Sequence, residues 1–302
     1  MPILISGATG FIGQTLCNLL VQDRANTVLA LTRPTSDASQ LDKSIQCIMY
    51  DYGIERLIET LRQYEIEGVI HLASLFLPAH QTSDVDRLVE ANLHLGMHLV
   101  EAAARARVRW FINTSSFWQH YQNQLYNPAA LYAATKQAFE TILTFYRETT
   151  PLRIVTLEMF DTFGPHDRRS KLFNLLKRAW RNDEALSMSP GQQNMNLVYI
   201  EDVVAAYGQL MRLLEQSGAE LHDKYCVSAS VTYSLRQVVQ IFCAVTGCTL
   251  QITWGGRPYR ERELMDPRPL YPPVPGWAPR YTLEAGIRKM CTLEGLLQAH
   301  DN

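Results

Sequence analysis

The chain has 302 residues, of which 47% are hydrophobic and 19% charged, and its formal net charge is −2. This length and composition indicate a folded globular protein with one large domain or two closely packed ones. The charge argues against a general nucleic-acid-binding protein, which would need a basic surface. The sequence lacks a signal-peptide pattern and any run of about 18 apolar residues, so we expect a cytoplasmic protein without a membrane partner.

The six cysteines are scattered along the chain, without a C-x-x-C pair and without histidines at metal-ligand spacing. In a chain of this size, that pattern is typical of reduced cysteines in a cytosolic protein. We therefore expect neither a disulfide framework nor a bound metal.

Short apolar runs alternate with segments of helical periodicity through the first half of the chain. The predicted strands are 3–6, 28–32, 45–50, 69–72, 110–114 and 153–158. This alternation predicts right-handed crossovers and a parallel sheet covered by helices on both faces. The expected fold class is therefore α/β, with a doubly wound parallel sheet of the Rossmann type.

The pattern changes after Gly164 and Pro165. We predict a helix over 171–181, a loop over 189–196, a return strand over 197–200 and a helix from Asp202, while the Pro- and Arg-rich stretch 255–280 favours irregular loops. These features predict a first domain over 1–165 with a return segment at about 195–228. Residues 166–194 and 229–302 would form a smaller substrate-binding lobe.

A glycine-rich turn follows the first predicted strand in the stretch ILISGATGFIGQTL. Gly7 would allow a tight turn, Gly10 would let backbone N–H groups approach a pyrophosphate, and Gly13 would let the helix pack closely on the strand. Strand, turn and helix together predict a dinucleotide-binding site. The turn residues expected at the cofactor are Gly7, Thr9, Gly10, Phe11, Ile12 and Gly13.

The end of the second strand, VLALTRPTS, indicates which dinucleotide binds. A carboxylate there would bind the ribose 2′-hydroxyl of NAD, whereas an arginine accommodates the 2′-phosphate of NADP. Thr32 and Arg33 occupy this position, with Ser36 close by. Because a guanidinium suits a phosphate, the sequence favours NADP(H) over NAD(H).

A tyrosine and a lysine four residues apart stand in NPAALYAATKQAFE. Asn127 and Pro128 predict a helix start, so Tyr132 and Lys136 would lie one turn apart on one face. A nearby ammonium favours the phenolate, lowering a pKa that starts at about 10. Such a tyrosine is suited to proton transfer at a carbonyl or hydroxyl. The preceding strand ends in hydroxyl residues, at the sheet edge where ligands of such folds bind.

These motifs together resemble the extended branch of the short-chain dehydrogenase/reductase superfamily, over nearly the whole chain. The matching stretches are GATGFIG, Asp51-Tyr52, His71-Leu72-Ala73, Asn92, the serine cluster, Tyr132 with Lys136, Phe160 with FGP (163–165), and LVYIEDVVAA (197–206).

The resemblance implies a role for each matching residue. Tyr132 would be the general acid, Lys136 would bind the nicotinamide ribose, and Ser116 would orient the carbonyl, with Ser115 and Thr114 beside it. The other implied cofactor contacts are Asp51 and Tyr52 at the adenine, Leu72, Ala73 and Ser74 along the cofactor, and Phe160 near the nicotinamide.

Members of this branch that resemble the chain act mostly on nucleotide sugars. Sugar 4,6-dehydratases carry an Asp-Glu pair where this chain has Phe117 and Trp118, so we do not expect a dehydratase. A 4-epimerase with retained NAD needs only Ser, Tyr and Lys, but usually carries the ribose-binding carboxylate that Thr32 replaces. A reductase that consumes NADPH agrees better with Arg33.

The stretch from Asn113 to Glu140 is also similar to the CDP-abequose and CDP-paratose synthases of dideoxysugar and O-antigen biosynthesis. The similarity implies hydride transfer from NADPH to the 4-keto group of a CDP-3,6-dideoxyhexulose. The residues expected at the substrate are Ser116, Trp118, Lys171, Asn196 and Arg257. His120 is expected in a solvated loop.

Three further expectations complete the sequence-based interpretation. A protein of this fold can act as a non-catalytic NADP(H) sensor, although such proteins typically lose the Tyr or the Lys. A reductase of a non-nucleotide carbonyl would have an apolar pocket, which the arginines and amides of the C-terminal half disfavour. A homodimer would bury the apolar residues left over on the helices of Asn92 and Tyr132, namely Leu95, Leu99, Leu143 and Tyr146.

Overall fold

A computed structural model describes residues 1–216, 218 and 220–298. Its central sheet has seven strands, all paired in parallel, in the order β11-β6-β5-β4-β1-β2-β3. The strands are β1 (Pro2–Ser6), β2 (Thr27–Thr32), β3 (Gln46–Met49), β4 (Gly68–His71), β5 (Trp110–Ser116), β6 (Arg153–Met159) and β11 (Lys224–Val227). The predicted doubly wound parallel sheet is confirmed.

The helices are α1 (Phe11–Leu20), α2 (Ile54–Gln63), α3 (Val85–Val89), α4 (Leu95–Arg105), α5 (Leu131–Thr149), α6 (Leu172–Asn182), α7 (Ile200–Glu215), α8 (Leu235–Thr246) and α9 (Leu283–Leu293). Residues of α1 and α7 pack in one buried cluster with the central sheet, and residues of α2 and α4 pack in the other. A π-helical turn, Glu90–His94, joins α3 to α4. Among the described residues, no helix has the length and apolar character needed to cross a lipid bilayer.

The core divides at the sheet, because alternate side chains of each strand point to opposite faces. Ile3 and Ile5 belong to one buried cluster and Leu4 to the other. Leu99 of α4 and Leu143 of α5 are fully buried in the Leu4 cluster. The expectation that these two leucines remain free for a partner subunit is therefore wrong, because they pack against the sheet.

The second half of the chain adds three two-stranded sheets to the central one. They pair β7 (Asp161–Phe163) with β10 (Leu197–Tyr199), β8 (Leu186–Met188) with β13 (Ile252–Trp254), and β9 (Asn194–Met195) with β12 (Tyr233–Ser234). The predicted return strand is thus β10, which lies outside the central sheet, and the strand that returns to that sheet is β11. The division into a cofactor domain and a substrate lobe stays a prediction.

The strand register brings the chemistry-bearing segments to one edge of the sheet. Ser6 at the end of β1 pairs with His71 at the end of β4, and His71 pairs with Asn113 in β5. The glycine turn after β1 and the loop after β4 therefore lie at the same carboxyl edge, and the end of β5 extends beyond it. Ligands of open α/β sheets bind at this edge.

Candidate active site

The glycine turn packs so closely that two of its three glycines have no room for a side chain. Gly7 has a φ of +74°, and a Cβ there would lie 2.6 Å from the backbone nitrogen of Ala73. A Cβ on Gly13 would lie 2.1 Å from the carbonyl oxygen of Gly7, whereas one on Gly10 meets only that oxygen, at 3.2 Å. Gly10 is exposed. The turn is thus closely packed at Gly7 and Gly13 and open to solvent at Gly10, as a pyrophosphate site requires.

The start of α1 supplies hydrogen-bond donors to the open side of this turn. The helix has no side-chain cap and no acidic residue in its first turn. Its first N–H groups have no intrahelical acceptor and carry partial positive charge. These features fit the pyrophosphate of a dinucleotide.

A cleft of about 490 Å³ runs from the glycine turn across the ends of β2 and β4. It is lined by eight of the predicted cofactor residues: Gly7, Thr9, Gly10, Arg33, Tyr52, Leu72, Ala73 and Ser74. Tyr50, Ser36 and Leu95 also line it.

Asp51 was predicted to contact the adenine, but its side chain bonds to other residues of the protein. Its carboxylate accepts hydrogen bonds from the backbone N–H of Gly53 at 3.1 Å and from Arg56 at 2.7 Å. Because these partners lie at the start of α2, the carboxylate stabilises that helix. Tyr52 does line the cleft, and its ring centroid is 5.0 Å from that of Tyr50.

Arg33 lies at the end of β2 with a free guanidinium. Its side chain is exposed and has no ion-pair or hydrogen-bond partner among the described residues. The Arg33 backbone N–H donates to the Ser36 hydroxyl at 3.0 Å, which fixes the turn. The carboxylate in the cleft lining, Glu90, comes from the π turn and not from β2. The end of β2 therefore brings a cation and no carboxylate to the lining of this cleft.

A second cleft, of about 220 Å³, continues from the glycine turn to the end of β5. Predicted residues lining it include Phe11, Ile12, Gly13, Thr114, Ser115, Ser116, Trp118, Tyr132, Lys136, Phe160 and Lys171. The sequence analysis gave no place in this cleft to five other lining residues: Phe76, Phe117, Met159, Asp161 and Thr162. Arg169 lines it as well. The position of Met159 to Thr162 at the end of β6, on the ligand-binding edge, was the available signal.

Tyr132 is buried in this second cleft between two hydroxyls and an aromatic ring. Burial raises the pKa of the Tyr132 phenol, and hydrogen bonds with Ser116 and Ser74 lower it by a smaller amount. The ring packs edge-on against Phe76, with centroids 5.0 Å apart. The charges that act on the phenol are those of Arg169, which lowers its pKa, and Asp161, which raises it, and desolvation of the buried ring is the largest effect.

Lys136 is held against the strand that carries the hydroxyls. Its Nζ donates to the carbonyl oxygen of Thr114 at 3.0 Å. Burial lowers the pKa of Lys136 to about 8, an effect that the negative charge of Glu140 partly opposes. Burial, together with the Lys136 charge, lowers the pKa of neighbouring His71 to about 3, so His71 is neutral. The buried Ser115 hydroxyl has no hydrogen-bond partner in the described structure, which leaves it available to a ligand.

Asn92 in the π turn connects the loop after β4 to α5. Its Oδ1 accepts from the hydroxyl of Ser74 at 3.0 Å and from the N–H of Leu75 at 2.7 Å. Its Nδ2 donates to the hydroxyl of Thr135 at 2.9 Å. This buried amide therefore fixes Ser74 relative to the helix of Tyr132.

The helix of Tyr132 begins later than predicted. The structure starts α5 at Leu131, with Ala130 at the N-cap position. Asn127 instead donates from Nδ2 to the carbonyl oxygen of Tyr121 and to Gln124, so its side chain shapes the preceding loop. Tyr132 thus lies in the first turn of the helix.

The residues predicted for the substrate divide into two groups. Trp118 and Lys171 line the second cleft, and Lys171 pairs with Asp161 at 3.1 Å. Asn196 lies elsewhere, since its side-chain amide bonds to both backbone groups of Ala229, at 2.9 and 2.7 Å.

Arg257 is exposed and does not line this cleft, and its backbone N–H donates to the carbonyl oxygen of Met188. The guanidinium of Arg260 instead lies 5.3 Å from the ring centroid of Trp118. The C-terminal half therefore brings Arg260 toward the second cleft in place of Arg257.

His120 is buried, which corrects the expectation of a solvated loop residue. Its Nε2 lies 2.7 Å from Glu158 and its Nδ1 lies 3.2 Å from the carbonyl oxygen of Gln124. Glu158 is fully buried in β6. The burial arises because the loop after β5 folds back over the edge of the sheet.

Known proteins resemble this chain along most of its length. CDP-abequose synthase of Salmonella muenchen is 23% identical over 97% of each chain, and that of Yersinia pseudotuberculosis is 24% identical over 88% of this chain and 92% of the relative. The UDP-glucuronic acid 4-epimerase of Bacillus cereus, solved with UDP-glucuronic acid and NAD, superposes with a TM-score of 0.83, at 20% identity and over 96% of this chain and 98% of that structure. This solved structure shares the fold of the chain.

The match to a family supports the same conclusion as the fold and the site. Residues 3–222 match the NAD dependent epimerase/dehydratase family. The matched range includes the glycine turn, the serine cluster and the Tyr132–Lys136 pair. This match confirms the resemblance to the extended short-chain dehydrogenase/reductases. The chain is an enzyme of the NAD dependent epimerase/dehydratase family.

Proposed function

We propose that the protein reduces the 4-keto group of a nucleotide deoxysugar with NADPH, and that the nucleotide is CDP. The observation that carries the proposal is the joint placement of Ser116, Tyr132 and Lys136 in one cleft that continues the dinucleotide cleft. Phe117 and Trp118 follow Ser116, so the acid-base pair needed for dehydration is absent from those positions. The match to CDP-abequose synthases over nearly the whole chain supports this substrate class.

The proton in this reaction comes from Tyr132. Burial keeps its pKa above the ordinary value, so the phenol is protonated near neutral pH and is ready to donate to the developing alkoxide. Ser116 bonds to the same phenol and is placed to hold the ketone oxygen. NADPH, when bound, supplies the hydride.

The choice of NADPH rests on Arg33. Its guanidinium has no partner among the described residues and lies at the end of β2, beside the Ser36 hydroxyl. A charge-assisted bidentate bond to a phosphate is stronger than one to a neutral hydroxyl. NADPH as a consumed co-substrate is also what a reductase requires.

The diphosphate of the substrate needs cations near the second cleft. Lys171 lines that cleft, and its Nζ lies 4.3 Å from the ring centroid of Phe76. The Arg260 guanidinium lies over the ring of Trp118, which lines the same cleft. We assign the diphosphate to these two cations, and the sugar to the space between Trp118 and Tyr132.

The proposal also includes a cytoplasmic homodimer. Met97 of α4 and Phe145 of α5 are 43% and 61% exposed, although both are large and apolar. A second copy packed against these two helices would bury them in a four-helix bundle. Sedimentation of the purified protein tests this part: a monomer at micromolar concentration would contradict it.

The function is tested by incubating the protein with NADPH or NADH and a set of 4-keto nucleotide sugars that differ in nucleotide. Stoichiometric NADPH oxidation, fastest with the CDP sugar, is the expected result. Interconversion of C4 epimers without net oxidation would indicate an epimerase. Tight NADPH binding with no turnover would indicate a sensor, and turnover of a non-nucleotide carbonyl would reject the nucleotide-sugar assignment.

A further inference from the structure

A buried network of charged and amide side chains lies directly behind the catalytic residues. It joins Glu140 of α5, Lys224 of β11, Glu158 of β6 and His120 of the loop after β5. The ammonium of Lys224 lies 3.0 Å from Glu140 and 3.0 Å from Glu158. Glu158 in turn lies 2.7 Å from Nε2 of His120. Two of these side chains are almost completely inaccessible, since His120 is 3% exposed and Glu158 is 0% exposed.

Each polar group of this network has a partner close to it. The two ring nitrogens of His120 lie near the Glu158 carboxylate and the carbonyl oxygen of Gln124. The Lys224 ammonium lies between the carboxylates of Glu140 and Glu158, as buried charges require.

Glu140 is the member of the network closest to the catalytic set. It lies one helical turn after Lys136, on the face of α5 that carries Tyr132 and Lys136. Its Oε1 accepts a hydrogen bond of 3.0 Å from Nε2 of Gln119. Oε1 of the same Gln119 accepts a bond of 3.1 Å from the backbone N–H of Ser116. A single amide side chain therefore connects Glu140 to the residue that would hold the substrate oxygen.

We propose that Glu140 is a positioning residue for catalysis, which holds Ser116 in register with Tyr132 and Lys136 through Gln119 and also supplies a negative charge that acts on Lys136. The inference deepens the proposed function and rests on it. Ser116 lies at the end of β5, whereas Tyr132 and Lys136 lie on α5. Asn92 and the Lys136–Thr114 bond also join the helix to its surroundings, but the contact through Gln119 reaches the backbone of Ser116 itself. A misplacement of about 1 Å at such a site costs on the order of a hundredfold in rate.

The charge of Glu140 has a second effect, on Lys136. The groups that act on the Lys136 ammonium are the Thr114 carbonyl oxygen, the neutral His71 ring and Glu140. Among them Glu140 supplies the negative charge that opposes the lowering of the Lys136 pKa by burial. Removal of that charge should therefore lower the pKa of Lys136 below about 8.

Two variants separate the two effects. Glu140→Gln removes the charge but keeps an oxygen that can accept from Gln119. Gln119→Leu breaks the connection to Ser116 but keeps the charge. Glu148→Gln is the matched control, because Glu148 is exposed on the same helix and has no partner among the described residues. For each variant, the 4-keto sugar reductase assay gives kcat as a function of pH, and NADPH fluorescence gives the cofactor Kd.

We expect Gln119→Leu to lower kcat by roughly tenfold or more across the pH range, and Glu140→Gln to lower kcat mainly on the alkaline side, with the NADPH Kd of both within about twofold of wild type. Only Glu140→Gln should move the alkaline limb of the kcat profile to lower pH, and Glu148→Gln should change neither quantity. Wild-type kcat and pH profile in Glu140→Gln would overturn the inference. If Glu140→Gln does not fold, wild-type kcat in Gln119→Leu overturns it.

A measurement without substrate distinguishes failure of this inference from failure of the proposed function. Lysine labelled with ¹³C at Cε reports the titration of Lys136 by NMR, and the Lys136→Arg variant assigns the signal. A lower Lys136 titration midpoint in Glu140→Gln than in wild type supports the inference even if no 4-keto sugar is turned over. An unchanged midpoint means that Glu140 does not influence the catalytic lysine and contradicts it.

Discussion

The ammonium of Lys136 and the carbonyl oxygen of Thr114 are joined by a 3.0 Å hydrogen bond. This bond connects the second turn of α5 to the strand whose next two residues are Ser115 and Ser116. Lys136 is therefore oriented by the backbone of the strand that supplies the hydroxyls. With only 3% of its surface exposed, Lys136 has little freedom to adopt another position.

The role of Tyr132 as the acid predicts a large effect of removing one oxygen atom. Tyr132→Phe should lower kcat on the order of 10²- to 10⁴-fold, because general acid catalysis contributes that much. The NADPH Kd should stay within about twofold, since the ring and its packing against Phe76 remain. Tyr146→Phe is the control, because its hydroxyl bonds to Glu101 and does not line the cleft. Equal kcat in wild type and Tyr132→Phe would remove the acid from the mechanism.

The glycine turn predicts opposite behaviour for two alanine substitutions. Gly13→Ala would place Cβ 2.1 Å from a backbone oxygen, so we expect strong destabilisation or loss of folding. Gly10→Ala has only a 3.2 Å contact, so the protein should fold but bind NADPH at least tenfold more weakly, because the methyl group occupies the pyrophosphate side. Thermal unfolding and fluorescence titration measure both effects. A Gly10→Ala protein with wild-type NADPH affinity would argue against a pyrophosphate above this turn.

Arg33 predicts the cofactor preference. Arg33→Ala should weaken NADPH binding by about 1.5–3 kcal/mol, the usual contribution of a charge-assisted hydrogen bond, and leave NADH binding unchanged. Arg24→Ala provides the control, as another exposed arginine without a partner among the described residues. Isothermal titration with both cofactors makes the comparison. Equal losses for NADPH and NADH would mean that Arg33 does not read the 2′-phosphate.

The sequence and the structure assign different arginines to the nucleotide sugar, namely Arg257 and Arg260, and alanine variants of both distinguish the two assignments. Arg260→Ala should raise the KM for the nucleotide sugar roughly tenfold or more with the NADPH Kd unchanged, because the lost contact is to the diphosphate. Arg257→Ala should have little effect, since its side chain does not line the cleft. Steady-state kinetics with varied nucleotide sugar decides the matter. The reverse result would restore Arg257 as the substrate residue.

The buried Lys136 predicts that stability and activity change in opposite directions at alkaline pH. Its pKa in the folded protein is about 8, below the ordinary 10.5, so the folded state releases this proton first. Between pH 8 and 10.5 the contribution of Lys136 to the free energy of unfolding therefore rises, by at most about 1.4 kcal/mol per pH unit. Turnover should fall over the same range, as the ammonium is lost.

Urea unfolding of wild type and Lys136→Met at several pH values measures this contribution. Lys136→Met should gain most in stability relative to wild type below pH 8, where the buried ammonium is charged, and the gain should shrink at higher pH. A difference between the two proteins that stays constant from pH 7 to 10 would contradict a depressed lysine pKa.

Elements with strong periodicity were predictable from the sequence. The structure contains all six strands predicted in the first half. They could be recognised because buried parallel strands are continuous apolar runs, and glycine and polar residues mark where each run ends. The start of α5 was misplaced, because Asn127 has the composition of a helix cap but hydrogen-bonds to its own loop. Local sequence cannot distinguish these two uses of asparagine.

Residues that depend on long-range packing were harder to place. Phe76 and Asp161 line the catalytic cleft but carry no motif, and Asn196 has the character of a ligand-binding amide yet cross-links two backbone segments. His120 was expected in solvent, whereas its partner Glu158 is supplied by another strand 38 residues later. Such pairings become visible only when the strand order of the sheet is known.

The transfer of deuterium from 4-deuterated NADPH to carbon 4 of the sugar tests the central claim most directly. The protein is incubated with this cofactor and a CDP-4-keto-3,6-dideoxyhexose, and the product is analysed by mass spectrometry and NMR. We expect one NADP⁺ formed per sugar, with the label from one face of the nicotinamide bound to C4. Sugar that stays unlabelled with both the 4R- and the 4S-deuterated cofactor, or label without net formation of NADP⁺, would contradict a reductase.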